Sequence, residues 1–204
     1  MQKREAITGV ILAGGRSSRF GTNKALSMFK GERLIERLVR SLGQVTQSLF
    51  LVTNTPEAYP FLNLPTGKDL IPDCGPLGGI YTALKSIETP LCLCIACDMP
   101  FVHPNFMAYM IQTTTSYDVV VPMNGQREEP LCAVYRTTCI PAIEERIQAK
   151  RYKMIGFYDQ VRVKRITASD TDHYNTDMFF NVNTPGDYEE ALRRLEGKGK
   201  SAQG

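Results

Sequence analysis

Two adjacent glycines and three cations crowd the stretch Leu12-Ala13-Gly14-Gly15-Arg16-Ser17-Ser18-Arg19-Phe20-Gly21-Thr22-Asn23-Lys24. Gly14 and Gly15 allow a backbone close to a phosphate, and successive N–H groups can cradle an anion there. Arg16, Arg19 and Lys24 can balance a polyphosphate through charge-assisted hydrogen bonds. The spacing fits neither of two common phosphate motifs. A dinucleotide fingerprint needs G-x-G-x-x-G, and here the glycines read G-G-x-x-x-x-x-G. A P-loop needs G-x-x-x-x-G-K-[ST], but the interval from Gly15 to Gly21 is one residue too long and continues Thr-Asn-Lys.

Three further groups could share a site with this loop. Cys97-Asp98-Met99-Pro100 follows an apolar run, so its carboxylate stands where a divalent ion and phosphates could meet. Mg²⁺ suits such a place, because it takes one or two carboxylates and completes its shell with phosphate oxygens and water. The stretch Ile71-Pro72-Asp73-Cys74-Gly75-Pro76-Leu77-Gly78-Gly79 leads into a helix pattern whose N-terminus favours anions. In Phe180-Asn181-Val182-Asn183-Thr184-Pro185 the two amides are two residues apart, so an extended backbone turns both to one side. Neutral amides can bind phosphate or a metal-bound water without adding charge. Each group also has an ordinary structural explanation: a glycine turn with solvated arginines, a strand-ending Asp, a helix cap.

These residues need a scaffold that brings loop ends together, and the pattern supplies one. Residues 7–12 and 91–96 are continuous apolar runs, as expected of central strands buried on both faces. Residues 48–53 form a further strand, ended by Asn54 and Pro56. Helical spacing marks 32–42, 77–87 and 104–111. The β-α-β-α-β-α order predicts an α/β fold, a three-layer α/β/α sandwich with a Rossmann-like, mostly parallel sheet. Strands at 118–122 and 131–135 flank Asn124-Gly125 and predict an inserted antiparallel hairpin beside that sheet. A helix over 137–149, a strand over 161–166 and a last helix follow, the last with Thr184 as cap and Pro185 at its first position. One domain is expected over residues 1–196, with 197–204 a disordered tail.

Composition removes several classes of function. Of 204 residues, 43% are hydrophobic and 22% charged, enough for a sizeable core. A net charge of +3 is too small for a general nucleic-acid or membrane-surface protein, so neither partner is expected. No apolar run approaches the roughly 18 residues that span a bilayer, and the N-terminal apolar stretch is too short for a signal peptide; a cytoplasmic chain is expected. Cysteines stand at 74, 92, 94, 97, 132 and 139. Cys94 and Cys97 are three apart, on opposite faces of a strand, and no second pair completes a zinc site. Free buried thiols are expected. The two histidines, His103 and His173, have no nucleophile-like context.

Leu-Ala-Gly-Gly-Arg, then Arg19, Gly21 and Asn23-Lys24, resembles the signature loop of nucleotidyltransferases that attach NMP to phosphorylated acceptors. Within that superfamily the chain resembles the molybdenum cofactor guanylyltransferases. Cytidylyltransferases of isoprenoid synthesis read LAAG followed by Pro-Lys, where this chain has LAGG and Asn-Lys. The resemblance spans residues 7 to about 195 and implies a nucleotide-diphospho-sugar transferase-like fold. It implies GMP transfer from GTP to the phosphate of molybdenum-bound molybdopterin, with Mg²⁺ as cofactor. Carried over, catalytic roles fall on Arg19, Lys24, Asp98, Asn181 and Asn183. Nucleotide contacts fall on Leu12, Ala13, Gly14, Gly15, Lys24, Asp73, Gly75, Gly79 and Asp98, and Asp98 is the metal ligand. Cys74 stands directly between Asp73 and Gly75, where relatives often have a longer connection. The resemblance also implies protein partners in molybdenum cofactor biosynthesis and leaves the oligomeric state open. Base choice depends on residues 12–14 and 54–73, and the pattern alone leaves GTP and CTP open. Transfer of CMP to the same or another phosphorylated acceptor is the alternative, and a nucleotide-binding protein without turnover is the non-enzymatic one.

Overall fold

A computed structural model describes residues 5–14, 26–29 and 31–200, with no account of the side chains of Phe29 and of 195–200. The strands are β1 (Ile7–Leu12), β2 (Met28–Phe29), β3 (Glu32–Arg33), β4 (Ser48–Val52), β5 (Thr66–Gly67), β6 (Leu91–Ala96), β7 (Val119–Asn124), β8 (Arg127–Glu128), β9 (Cys132–Arg136) and β10 (Val163–Ile166). The α-helices are α1 (Leu34–Gly43), α2 (Gly75–Ser86), α3 (Pro104–Gln112), α4 (Ile140–Gln148) and α5 (Pro185–Lys200). Among the described residues, eight strands form one sheet in the order β10-β7-β9-β6-β1-β4-β5, with β8 added to β7. β2 and β3 make a separate ribbon. No helix among the described residues is long and apolar enough to cross a membrane.

Every residue of β1 and of β6 is buried. Alternate side chains feed two cores. Ile7 and Ile11 join Leu91, Leu93 and Ile95 under α1 and α3, against Ile35, Leu38, Leu42, Phe106 and Met110. Val10 and Leu12 join Cys92 and Cys94 under α2 and α4, against Leu77, Ile80, Leu84, Ile143 and Ile147. Period-two alternation thus yields two apolar faces and three layers. Gly9 lies where α1 approaches: a Cβ there would come within 2.8 Å of Leu49 and 2.9 Å of Thr46. A methyl group would push on a contact that is already full.

The sheet is mixed and its parallel core is as expected. β1 pairs in parallel with β4 and β6, β4 with β5, and β10 with β7. The expected antiparallel hairpin is present as β7 and β9, and it is built into the sheet. β9 lies inside it, antiparallel to both β6 and β7. A strand that hydrogen-bonds on both edges leaves no exposed edge in the middle of the sheet, and strand order is not written in side-chain periodicity. Three boundaries also move. Residues 32–33 are strand before α1 begins, 137–139 are a turn of 3₁₀ helix before α4, and α5 continues to Lys200, into the expected tail. Pro141 sits in the first turn of α4 and Pro185 opens α5.

Candidate active site

Parallel strands point their carboxyl ends to one edge of the sheet, where ligands of open α/β sheets bind. At that rim β1 and β6 end together: Leu12 pairs with Ala96, and the Cys97 N–H donates to the Leu12 carbonyl at 3.1 Å. Ala13 donates to the Val52 carbonyl at 2.9 Å, so the first loop N–H past this ladder belongs to Gly14. Gly14 is exposed, and a Cβ built there meets nothing within 4 Å among the described residues. Its backbone is therefore open to a ligand. Gly15, Arg16, Arg19, Gly21, Asn23 and Lys24 lie outside the described residues.

Asp98 follows β6 in a turn closed by Met99 N–H to the Ala96 carbonyl at 3.1 Å. The residue is half-buried, with Oδ1 out of contact with solvent. Its own carbonyl accepts from the Val182 N–H at 2.9 Å, which joins the amide motif to the acidic one across 84 positions of sequence. Val182 packs with Phe101, Leu34 and Ala191 in a small core between α5, α1 and the turn after Asp98. Val182 is buried, Asn181 half-buried and Asn183 exposed. Asn181 Nδ2 donates to the Phe179 carbonyl at 3.3 Å. The cap of α5 fixes the other end: the Asp187 carboxylate accepts from the N–H groups of Asn183 and Thr184 at 2.8 and 2.7 Å, and Thr184 Oγ1 accepts from the Asp187 N–H at 3.1 Å. This is a capping box with Asp in the third helical position.

The turn at residues 73–75 opens α2 from the same rim. Asp73 and Gly75 both have left-handed backbones, φ +61° and +58°, and both are exposed. Gly79 is buried one turn into the helix, where a Cβ would touch Leu12 at 3.5 Å. The tighter glycine is Gly78, whose Cβ would lie 2.8 Å from that of Cys74. Cys74 itself is buried, which accounts for a cysteine in an otherwise polar turn: it plugs the start of α2. The structure thus brings Leu12, Ala13, Gly14, Asp73, Gly75, Asp98, Asn181 and Asn183 to one edge, with Gly79 behind it.

Two rim features have no counterpart among the sequence motifs. Asn54 and Asp69 form a reciprocal pair past the ends of β4 and β5, with Asn54 Nδ2 donating to Asp69 Oδ2 at 2.8 Å and the Asp69 N–H donating to Asn54 Oδ1 at 3.0 Å. Both are exposed. The signal was available for Asn54, a polar residue ending a strand as Asp98 does. Tyr152, 39% exposed, stands beside Cys74 and Asp73. Partial burial first, then the neighbouring thiol and carboxylate, hold its hydroxyl above the ordinary range for tyrosine. A cleft of about 900 Å³ lies elsewhere, at the amino ends of the strands, and its charges are already paired as Glu5–Arg136 and Asp118–Arg162.

No three His, Cys, Asp or Glu side chains cluster as a metal cage among the described residues. All six cysteines are free. The half-buried Asp98 carboxylate, near the exposed Gly14 backbone, instead suits an ion held largely by phosphate oxygens and water.

The sequence and the fold both have known relatives. Residues 9–162 match the family described as "MobA-like NTP transferase domain". The chain is 43% identical over 187 residues to a "Probable molybdenum cofactor guanylyltransferase" of Pelotomaculum thermopropionicum, covering 90% of this chain and 91% of that one. It is 40% identical over 189 residues to the protein of the same name in Carboxydothermus hydrogenoformans, covering 92% and 95%. Among solved structures, "Molybdopterin-guanine dinucleotide biosynthesis protein A" of Archaeoglobus fulgidus superposes with a TM-score of 0.79 at 24% identity, covering 93% of this chain and 99% of the other.

Proposed function

We propose a reaction from one premise: this chain belongs to the MobA-like NTP transferase domain family. It is a molybdenum cofactor guanylyltransferase, which moves GMP from GTP to the phosphate of molybdenum-bound molybdopterin. An acceptor phosphate oxygen bonds to the α-phosphorus of GTP. The bond from that phosphorus to the bridging oxygen breaks, and pyrophosphate leaves with the electron pair. The products are molybdopterin guanine dinucleotide and pyrophosphate. The observation that carries the assignment to this rim is the joining of three distant motifs by two backbone hydrogen bonds, Cys97 to Leu12 and Val182 to Asp98.

The attacking oxygen is already anionic, so no strong side-chain base is required. Positioning and charge neutralisation supply the rate. Leu12 and Ala13, with the Leu12 carbonyl and the Ala13 N–H used by the sheet, set the floor of the nucleotide site. The backbone at Gly14 and Gly15 holds the phosphates, and Lys24 and Arg19 offset the charge that develops on them. The turn with Asp73 and Gly75 borders the nucleotide, and Gly79 lets α2 lie close to Leu12 behind it. Asn181 and Asn183 orient the acceptor phosphate or a water of the metal shell. Asp98 would hold Mg²⁺, which would supply Lewis-acid neutralisation of phosphate charge.

Base choice falls to the Asn54–Asp69 pair. A carboxylate accepts both N1–H and N2–H of guanine, a bidentate match. Cytosine would turn N3 and O2 lone pairs toward it, and like partial charges repel. Asp69 therefore favours GTP over CTP. The test is pyrophosphate release: it should require GTP, Mg²⁺ and molybdenum-loaded molybdopterin together. Silence with a confirmed acceptor defeats the assignment.

A further inference from the structure

The rim divides about Asp98 by strand order. β1, β4 and β5 lie to one side with Gly14, Asn54 and Asp69, and β9 and β7 lie to the other. We propose that Arg127, on the β7–β8 hairpin, binds the acceptor at the end remote from its reacting phosphate, an inference that rests on the guanylyltransferase reading above.

Position is the first support. β9 runs antiparallel to β6 and β7, so β7 ends at the same edge as β6. Two strand spacings separate β7 from β6, about 10 Å. That span suits a small molecule whose phosphate reacts at Asp98 and whose ring system lies farther along the rim.

Rigidity is the second. The hairpin pairs Met123 with Glu128 and Asn124 with Arg127 around Gly125 at φ +62°. Asn124 Nδ2 donates to Glu129 Oε1 at 2.9 Å, and the Glu129 N–H donates to the Pro122 carbonyl at 2.9 Å. The Tyr174 hydroxyl donates to the Met123 carbonyl. A side chain on so fixed a support loses little freedom on binding.

Charge is the third. Glu128 is paired with Arg165 at 3.1 Å, and Glu129 is taken by Asn124. On the neighbouring edge Arg162 pairs with Asp118 and Lys164 with Asp170. Arg127 is exposed and enters no ion pair among the described residues. One cation on the hairpin is left for a ligand. A guanidinium both forks onto carbonyl or anionic groups and stacks on planar rings. A pterin carrying a molybdenum dithiolene offers a planar amide-bearing heterocycle and negative charge together.

Acceptor binding and turnover are measured separately to test this. Titration of molybdenum-loaded molybdopterin into the protein without GTP, followed by pterin fluorescence, should show affinity reduced about 10- to 100-fold in Arg127→Ala. The KM for the acceptor should rise by a similar factor, while the GTP-induced thermal shift stays at the wild-type value. Arg127→Lys should recover only part, since an ammonium lacks the planar fork. The salt dependence of acceptor affinity should flatten in Arg127→Ala. Equal acceptor affinity in the three proteins overturns the proposal. Acceptor binding that depends on Arg127 in a wild type without turnover counts against the reaction and leaves this site standing.

Discussion

A carboxylate can organise a triphosphate only if its backbone is held still. Asp98 is fixed by the Cys97–Leu12 bond before it, the Ala96–Met99 turn around it and the Val182 N–H on its own carbonyl. Asp98→Asn keeps shape and size and removes the charge. Turnover should fall at least about 10²-fold while the melting temperature stays near that of wild type. Steady-state kinetics at saturating Mg²⁺ with a melting control reads both, and near-wild-type turnover would remove Asp98 from the metal. Much at this scale was legible in the sequence, because Asp98, Gly14 and Asn181 stand at the ends of recognisable elements. Asp69 was not, since its partnership with Asn54 joins residues 15 apart across two strand ends and leaves no periodic mark. Arg127 was invisible for another reason: its meaning comes from the ion pairs that engage Arg162, Lys164 and Arg165 nearby.

Elements differ in how far sequence determines them. β1 and β6 match their expected spans because burial on both faces makes an unbroken apolar run. The two-residue strands β2, β3, β5 and β8 are too short to carry a period and exist only through their partners. The start of α5 was legible from Thr184 and Pro185, and the capping box shows why it matters to the site. The same Asp187 carboxylate that caps the helix receives the Asn183 N–H. Thr184→Ala removes the acceptor for the Asp187 N–H and should cost about 1 kcal/mol of stability. In a chain of this size that lowers the melting temperature by roughly 2–4 °C. Thermal denaturation checks it, and an unchanged midpoint would mean that the cap contributes nothing.

For the whole molecule, the sheet's last strand sets a limit in acid. Asp118 and Asp170 anchor β10 through Arg162 and Lys164. The hydrogen bond from Arg162 leads in holding Asp118 down to about 2, and that from Lys164, helped by Thr167, does the same for Asp170. A folded-state value below the ordinary 3.8 means that each carboxylate adds stability above that pH, and the contribution is lost as the pH falls toward about 2. Unfolding free energy measured by denaturant titration should therefore decline between about pH 4 and pH 2. Asp118→Asn should be less stable at neutral pH and show a shallower decline, and a slope equal to that of wild type would contradict the anchoring role.

The joined motifs, the exposed Gly14 backbone and the carboxylate proposed to read the base, Asp69, converge on one chemical outcome, which a single competition reads directly. Wild-type protein is incubated with equal GTP and CTP, Mg²⁺ and molybdenum-loaded molybdopterin, and the dinucleotide products are resolved by mass spectrometry. The guanylyl adduct should dominate, with one pyrophosphate released for each adduct formed. A predominant cytidylyl adduct, or no adduct with an intact acceptor, would contradict guanylyl transfer at this rim.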